Sequence, residues 1–228
     1  MRLYIPTIIL LSLSLLSACI GDDILEDAVA EELKIIDRVD TLGLDDSYQF
    51  VARYTDQIGR TQEVDLLWQS SDPSILDISP DGLVTGKSKG EAHVFAELTE
   101  PGLALLQDSV RVVVDAETVE PPAESRSGTI KTTSFYTLKG EFEIVPEGDK
   151  LIIKVAEDYE ASSTLPGLYL YLTNNPNSIN DAIEISKVTT FSGAHEYEVS
   201  DIGINEYDYL LYYCKPFNVK VGDGPIEE

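Results

Sequence analysis

Soft and imidazole ligands are what this chain of 228 residues has least of: it holds two cysteines, two histidines and one methionine. An iron–sulfur cluster takes four cysteines and covalent haem takes a C-x-x-C-H run, and neither is present. A blue-copper centre needs two histidines beside its cysteine, and His93 and His195 fall in different β-rich halves of the chain. The same scarcity bears on hydrolysis, because a nucleophile needs a neighbouring base. His195 opens a predicted strand in GAHEYEV and His93 lies inside EAHVFAEL, positions that suit hydrogen-bonded structural histidines. No glycine-rich nucleotide loop is present. The chain therefore reads as a non-enzyme, with no cofactor and no metal-ligand set nominated.

Positive charge is also scarce. Sixteen Lys and Arg face 41 Asp and Glu, a formal charge of −25 that falls to −26 once residues 1–18, with Arg2 as their one base, are removed. Such a chain is repelled by phosphate backbones, which excludes nucleic acid as a partner, and by anionic lipid. Acids are too abundant for spacing to single out a glycosidase pair. Asp45, Asp46, Asp72, Asp77 and Asp81 cluster in predicted loops, but without EF-hand order they read as turn residues and not as calcium ligands.

What is present begins with a secretory segment. Arg2 precedes an apolar run from Ile5 to Leu16 broken only by Pro6, Thr7, Ser12 and Ser14, with no acid before Cys19. The run is shorter than the roughly 20 apolar residues of a membrane-spanning helix and has the build of a cleaved signal. It ends Leu16, Ser17, Ala18, Cys19, which resembles the lipobox of bacterial lipoproteins. That resemblance implies cleavage before Cys19, acylation of its thiol with palmitate-type chains, and anchorage in the cell envelope. Asp22 and Asp23 follow at once and resemble the acidic signal that sends Bacteroidota-type lipoproteins to the outer membrane and its outer face. Residues 19–32 read as a lipidated tether, with Leu25 to Leu33 able to form a short helix.

From Leu33 the pattern turns to period two, with turns every ten or so residues, as in an all-β sandwich. The segment LLWQSSDPSILDISPDGLVTGKSKGEAHVFAEL carries Trp68, Ser70-Ser71-Asp72-Pro73, Asp81-Gly82-Leu83-Val84-Thr85-Gly86 and Gly90. It resembles the group-two bacterial immunoglobulin-like domains, over about residues 33–115. The resemblance implies a spacer or adhesive module with Trp68 as a core plug. Residues 116–127, AETVEPPAESRS, form a linker stiffened at Pro121 and Pro122.

Strands return from residue 128: Gly140–Val145, Lys150–Val155, Gly167–Thr173, His195–Val199 and Tyr207–Tyr213 are the predicted ones, giving a second sandwich. Ser127-Gly128-Thr129, the run Leu165 to Leu172, Gly193, Tyr197 and Tyr213-Cys214-Lys215-Pro216-Phe217-Asn218-Val219 resemble the DM-thirteen domain over about residues 125–226. That family is described as an electron-transfer module, and its cysteine falls on Cys214, with Tyr213 where a tryptophan is usual. Cys214 is thus the redox candidate. It is also the one thiol left after acylation of Cys19, so no intramolecular disulfide can form. Strand alternation puts Leu210, Tyr212 and Cys214 on one apolar face and Tyr209, Leu211 and Tyr213 on the other, so the thiol is equally read as a small buried hydrophobe.

The sequence thus describes two tandem β-sandwich domains behind a signal and tether. Its first functional reading is a lipid-anchored envelope protein whose immunoglobulin-like spacer presents a C-terminal binding domain to a protein or glycan. Electron transfer through Cys214 and carbohydrate or matrix adhesion are the alternatives.

Overall fold

The computed structural model describes residues 27–99, 105–119 and 125–227, and over these the chain is all-β. The first half supplies β1 (Glu32–Asp37), β2 (Thr41–Gly43), β3 (Ser47–Gln49), β4 (Val51–Thr55), β5 (Thr61–Gln62), β6 (Leu66–Ser70), β7 (Leu76–Ile78), β8 (Leu83–Gly86), β9 (Gly90–Leu98) and β10 (Gln107–Asp115). The second supplies β11 (Arg126–Thr132), β12 (Leu138–Glu147), β13 (Lys150–Val155), β14 (Glu160–Ala161), β15 (Leu168–Thr173), β16 (Ile183–Lys187), β17 (His195–Ser200), β18 (Tyr209–Cys214) and β19 (Val219–Pro225). A single turn of 3-10 helix, Lys215–Phe217, joins β18 to β19.

Strands of the first half form three small sheets, β1-β4-β5, β2-β10-β9-β6 and β3-β8-β7, with β2 alongside β10 in parallel and the other pairs antiparallel. Alternation in β9 and β10 selects the core. Ala92, Val94, Ala96 and Leu98 point inward with Val110, Val112 and Val114, while Glu91, His93 and Arg111 face water. Trp68 of β6 stands opposite Ala96 of β9, where the small partner leaves room for the indole. Gly82 closes the β7–β8 turn at φ 87°, and a Cβ there would meet the Phe50 carbonyl oxygen at 2.8 Å and the indole at 3.1 Å.

The second half is one continuous sheet, β16-β15-β18-β19-β11-β12-β13-β17, with β14 added to β12. It folds over on itself until its two ends, β16 and β17, come into contact. Two layers therefore face each other across a core that includes Ile130, Ile144, Ile153, Leu170, Leu210 and Tyr212. β15 and β18 are buried on both faces, because Tyr171, Leu211 and Tyr213 make a second, smaller cluster under Ile179 and Ala182 of the β15–β16 loop.

Two local expectations differ from what is seen. Residues 28–31 carry no regular secondary structure and lead into β1, with no helix among the described residues before it, since Leu33 and Ile35 follow the alternation that buries one side of a strand. The linker is also shorter than its composition suggested. Val119 N donates to Thr41 O at 3.0 Å, Thr118 Oγ1 donates to Asp46, and β11 already starts at Arg126.

Trp68→Ala is expected to destabilise the protein by about 3–5 kcal/mol, as truncation of a core aromatic does. Urea denaturation followed by circular dichroism measures this.

Candidate functional site at the junction of the two β units

Cys19 and residues 20–26 lie outside the described residues. Cys214 is fully buried, on the inward face of β18 with Leu210 and Tyr212, as alternation predicts. Its register neighbours are Leu168 and Val219. A thiol enclosed by apolar side chains is shielded from the thiol exchange that redox chemistry requires.

His195 opens β17. Its Nδ1 lies 2.9 Å from Gly193 O and its Nε2 lies 3.2 Å from the Tyr197 hydroxyl. The Tyr159 ring meets it edge-on at 4.8 Å, and Tyr159 in turn lies 6.0 Å from Tyr212. Burial raises the phenol pKa of Tyr159 and Tyr212 well above 10 and pushes Tyr197 up to about 12, so the cluster is neutral and acts as packing around the histidine. His93 is far off in sequence and structure alike, exposed on β9 and stacked on Phe95 at 6.2 Å.

The loop acids of the first unit lock turns. Asp72 accepts from Ser74 N and Oγ and Asp81 from Ser79 Oγ, hydrogen bonds that lower both carboxyl pKa values. Asp77 lies in strand β7 and not, as expected, in a loop, and pairs with Lys87, while Asp45 takes the left-handed conformation at φ 64°. No three His, Cys, Asp or Glu side chains come together as a metal site among the described residues.

The densest polar constellation is one that sequence reasoning passed over. Arg53 lies in β4 between Ala52 and Tyr54, and alternation turns it away from the core that Tyr54 joins. It would be a solvated strand residue if the second unit were absent. Instead it is 4% exposed, because the β17–β18 connection lies over it. Its Nη1 donates to Asn205 O at 3.0 Å and to Glu206 O, and its Nη2 meets Asp208 Oδ2 at 2.5 Å.

Asparagines complete the seam. Asn205 Nδ2 donates to Ile36 O at 3.0 Å, and Asn174 Nδ2 to Glu206 O at 3.1 Å. Asn175 Nδ2 donates both to Ile58 O at 3.0 Å and to Asp27 O at 2.7 Å. Two crevices flank the seam. One of about 540 Å³ is lined by Ile36, Val51, Arg53, Thr61, Glu206 and Tyr207. The other, of about 420 Å³, is lined in part by Lys34, Arg126, Asn174 and Asp208. Arg and Asn in strand and loop positions carry no spacing signal of their own, so only the approach of the two units reveals them.

No protein-family model and no curated protein matches the chain. Among solved structures it is similar to the S-layer protein SbsC. Domains 4 and 5 of that protein align at 20% identity and a TM-score of 0.30, covering 86% of this chain and 97% of that one. The longer form rSbsC(31-844) aligns at 18% identity and a TM-score of 0.30, covering 86% of this chain and 27% of that one. The chain thus spans about a quarter of the longer S-layer protein.

Two outcomes follow from these positions. Arg53→Met should leave Asp208 and two loop carbonyls without their donor and cost about 3 kcal/mol, the low end for a broken buried pair because the Asp208 side chain keeps 20% exposure. Calorimetry should then show the single unfolding transition splitting into two. Cys214 should resist alkylation in the folded protein at neutral pH and react on denaturation, as mass spectrometry of the iodoacetamide-treated protein would reveal.

Proposed function

We propose that the protein is a non-enzymatic, lipid-anchored protein of the cell envelope, held by an acylated Cys19, in which an immunoglobulin-like unit braces a C-terminal binding unit. The secretory run and the sequence Leu16-Ser17-Ala18-Cys19 support the anchor. The order of Trp68, Asp72-Pro73 and Asp81-Gly82 supports the immunoglobulin-like assignment, and the motif around Cys214 supports the DM-thirteen-like one.

One observation carries the reading of how the units work together. Asp27, the first described residue and eight residues after Cys19, has its carbonyl held by Asn175 of the C-terminal unit. Asp27 therefore sits at the seam between the units, and on this reading the tether starts from there. An immunoglobulin-like spacer in series would have met the tether at an end remote from the second unit. Here the first described residue lies at the seam itself, and the Arg53 contacts fix the first unit to its partner. Its role on this reading is to stiffen the C-terminal unit and hold it in one orientation.

Burial of Cys214 favours the binding reading over the redox one. Outer-membrane placement rests on Asp22 and Asp23. Metabolic labelling with an alkynyl fatty acid should mark the wild-type protein and not Cys19→Ser, and the unlabelled variant should leave the membrane fraction. Equal labelling of the two would end the anchoring proposal.

A further inference from the structure

β18 runs from the seam, where Tyr209 stands opposite Thr173 and Pro225, to the far end of the C-terminal unit at Cys214. Three loops meet at that far end. Thr133 N donates to Val221 O at 3.0 Å, Ser162 N to Thr137 O at 2.9 Å, and Lys215 N to Gly167 O at 3.1 Å, so the loops 133–137, 162–167 and 215–218 form one surface. Phe135 is fully exposed at the tip of the β11–β12 connection, and Phe217 is 62% exposed at the tip after β18. Val219 and Tyr136 beside them are exposed as well.

The charge of this end is unlike that of the rest. None of the three loops contains Asp or Glu, in a chain that has 41 of them, while the seam end carries Glu147, Asp149, Asp201, Glu206 and Asp208. Lys131, Lys139, Lys215 and Lys220 stand just behind the tips. Glu160, Glu184 and Asp223, paired with the last three of them, sit on the strands and not on the loops.

The geometry points to these three acid-free loops with their exposed rings as a bilayer-contact surface, with Phe135 and Phe217 inserting at headgroup level into the membrane that holds the anchor. Aromatic side chains favour the membrane–water interface, and lysines behind them keep their charge at the headgroups while their stems lie along apolar surface. Two phenyl rings exposed on the tips of two loops fit a deformable solvent. The reach is sufficient. Eight residues of tether span at most about 29 Å, and the six residues of β18 cover about 20 Å from seam to tip. The anchor can therefore lie in the plane of the tips while Asp27 stays pinned at the seam. This proposal names the partner of the C-terminal binding unit and rests on the anchoring reading for the nearness of a membrane, not for the affinity of the surface.

The test uses the chain from residue 19 onward with Cys19→Ser, so that no acyl chain contributes, sedimented with vesicles of phosphatidylcholine and phosphatidylethanolamine. Binding is expected, and Phe135→Ser with Phe217→Ser should weaken partitioning by at least about tenfold, which is about 1.4 kcal/mol. Thermal unfolding should be unchanged, because both rings are already in water. In a Phe135→Trp variant, brominated lipid should quench the added fluorescence. Failure of the parent chain to bind, or equal binding by the double variant, would overturn the proposal. So would self-association of the parent, lost in the double variant, without vesicle binding, since the tips would then join two copies of the chain. Fatty-acid labelling of Cys19 is read in a separate experiment, so failure of the anchor and failure of this surface are distinguishable.

Discussion

A guanidinium shut away from water must find acceptors, and in this protein that requirement ties the two halves together. Arg53 leaves its own sheet on the solvent side, and its acceptors are two backbone carbonyls and a carboxylate of the other unit. Burying an ion pair is costly, so such a contact adds little net stability over an apolar one. What it contributes is definition: the Nη1 and Nη2 donors of Arg53 meet Asn205 O, Glu206 O and Asp208 in one relative placement of the two units. Lys34, 3.8 Å from Asp208, adds a second cation on the same side of the seam. The asparagines extend the specification, because each binds a backbone carbonyl across or along the seam and satisfies a group that burial would otherwise leave unpaired.

With the seam fixed, the strands of the second unit acquire a direction. β11, β15 and β18 each have one end at the seam and one at the aromatic tips. Acids gather at the first end and are absent from the three tip loops 133–137, 162–167 and 215–218 of the second, with Glu157 and Asp158 set further back in the β13–β14 connection. The burial of Cys214 belongs to the same arrangement. It is the last inward residue of β18, closed over by the turn that carries Pro216 and Phe217, so the segment that invites a redox reading serves here as the floor of an exposed tip.

Much of this was legible in the sequence where a repeating pattern was at work. Period two from Leu33 onward marked β1 and β4, apolar runs marked β13 and β15, and alternation in β18 grouped Cys214 with Leu210 and Tyr212, while Trp68 was read as a core residue from the immunoglobulin-like resemblance. Aspartates before Ser, Pro and Gly were readable as turn locks because that chemistry is local. β16 and β19 were missed: the first is largely polar, and the second is interrupted by Gly222 and Gly224, so neither offers a hydrophobic alternation. The seam was invisible for a different reason. Its residues are polar, spaced without period and drawn from three separate stretches, and each has an ordinary reading as a solvated side chain until the second unit covers it.

A strongly acidic body and a membrane contact are compatible because charge acts over a limited distance. At physiological ionic strength the screening length is about 8 Å, shorter than the roughly 20 Å that β18 places between the acidic seam and the tips. The three tip loops themselves carry no acid, the acids just behind them, Glu160, Glu184 and Asp223, are each paired with a lysine, and the acids at the seam act there only weakly. The same acids would repel an anionic surface approached from the seam side. Net charge, which by itself argues against lipid, thus favours one orientation over the others for the proposed contact: the tips lead, and the seam and the first unit stand off.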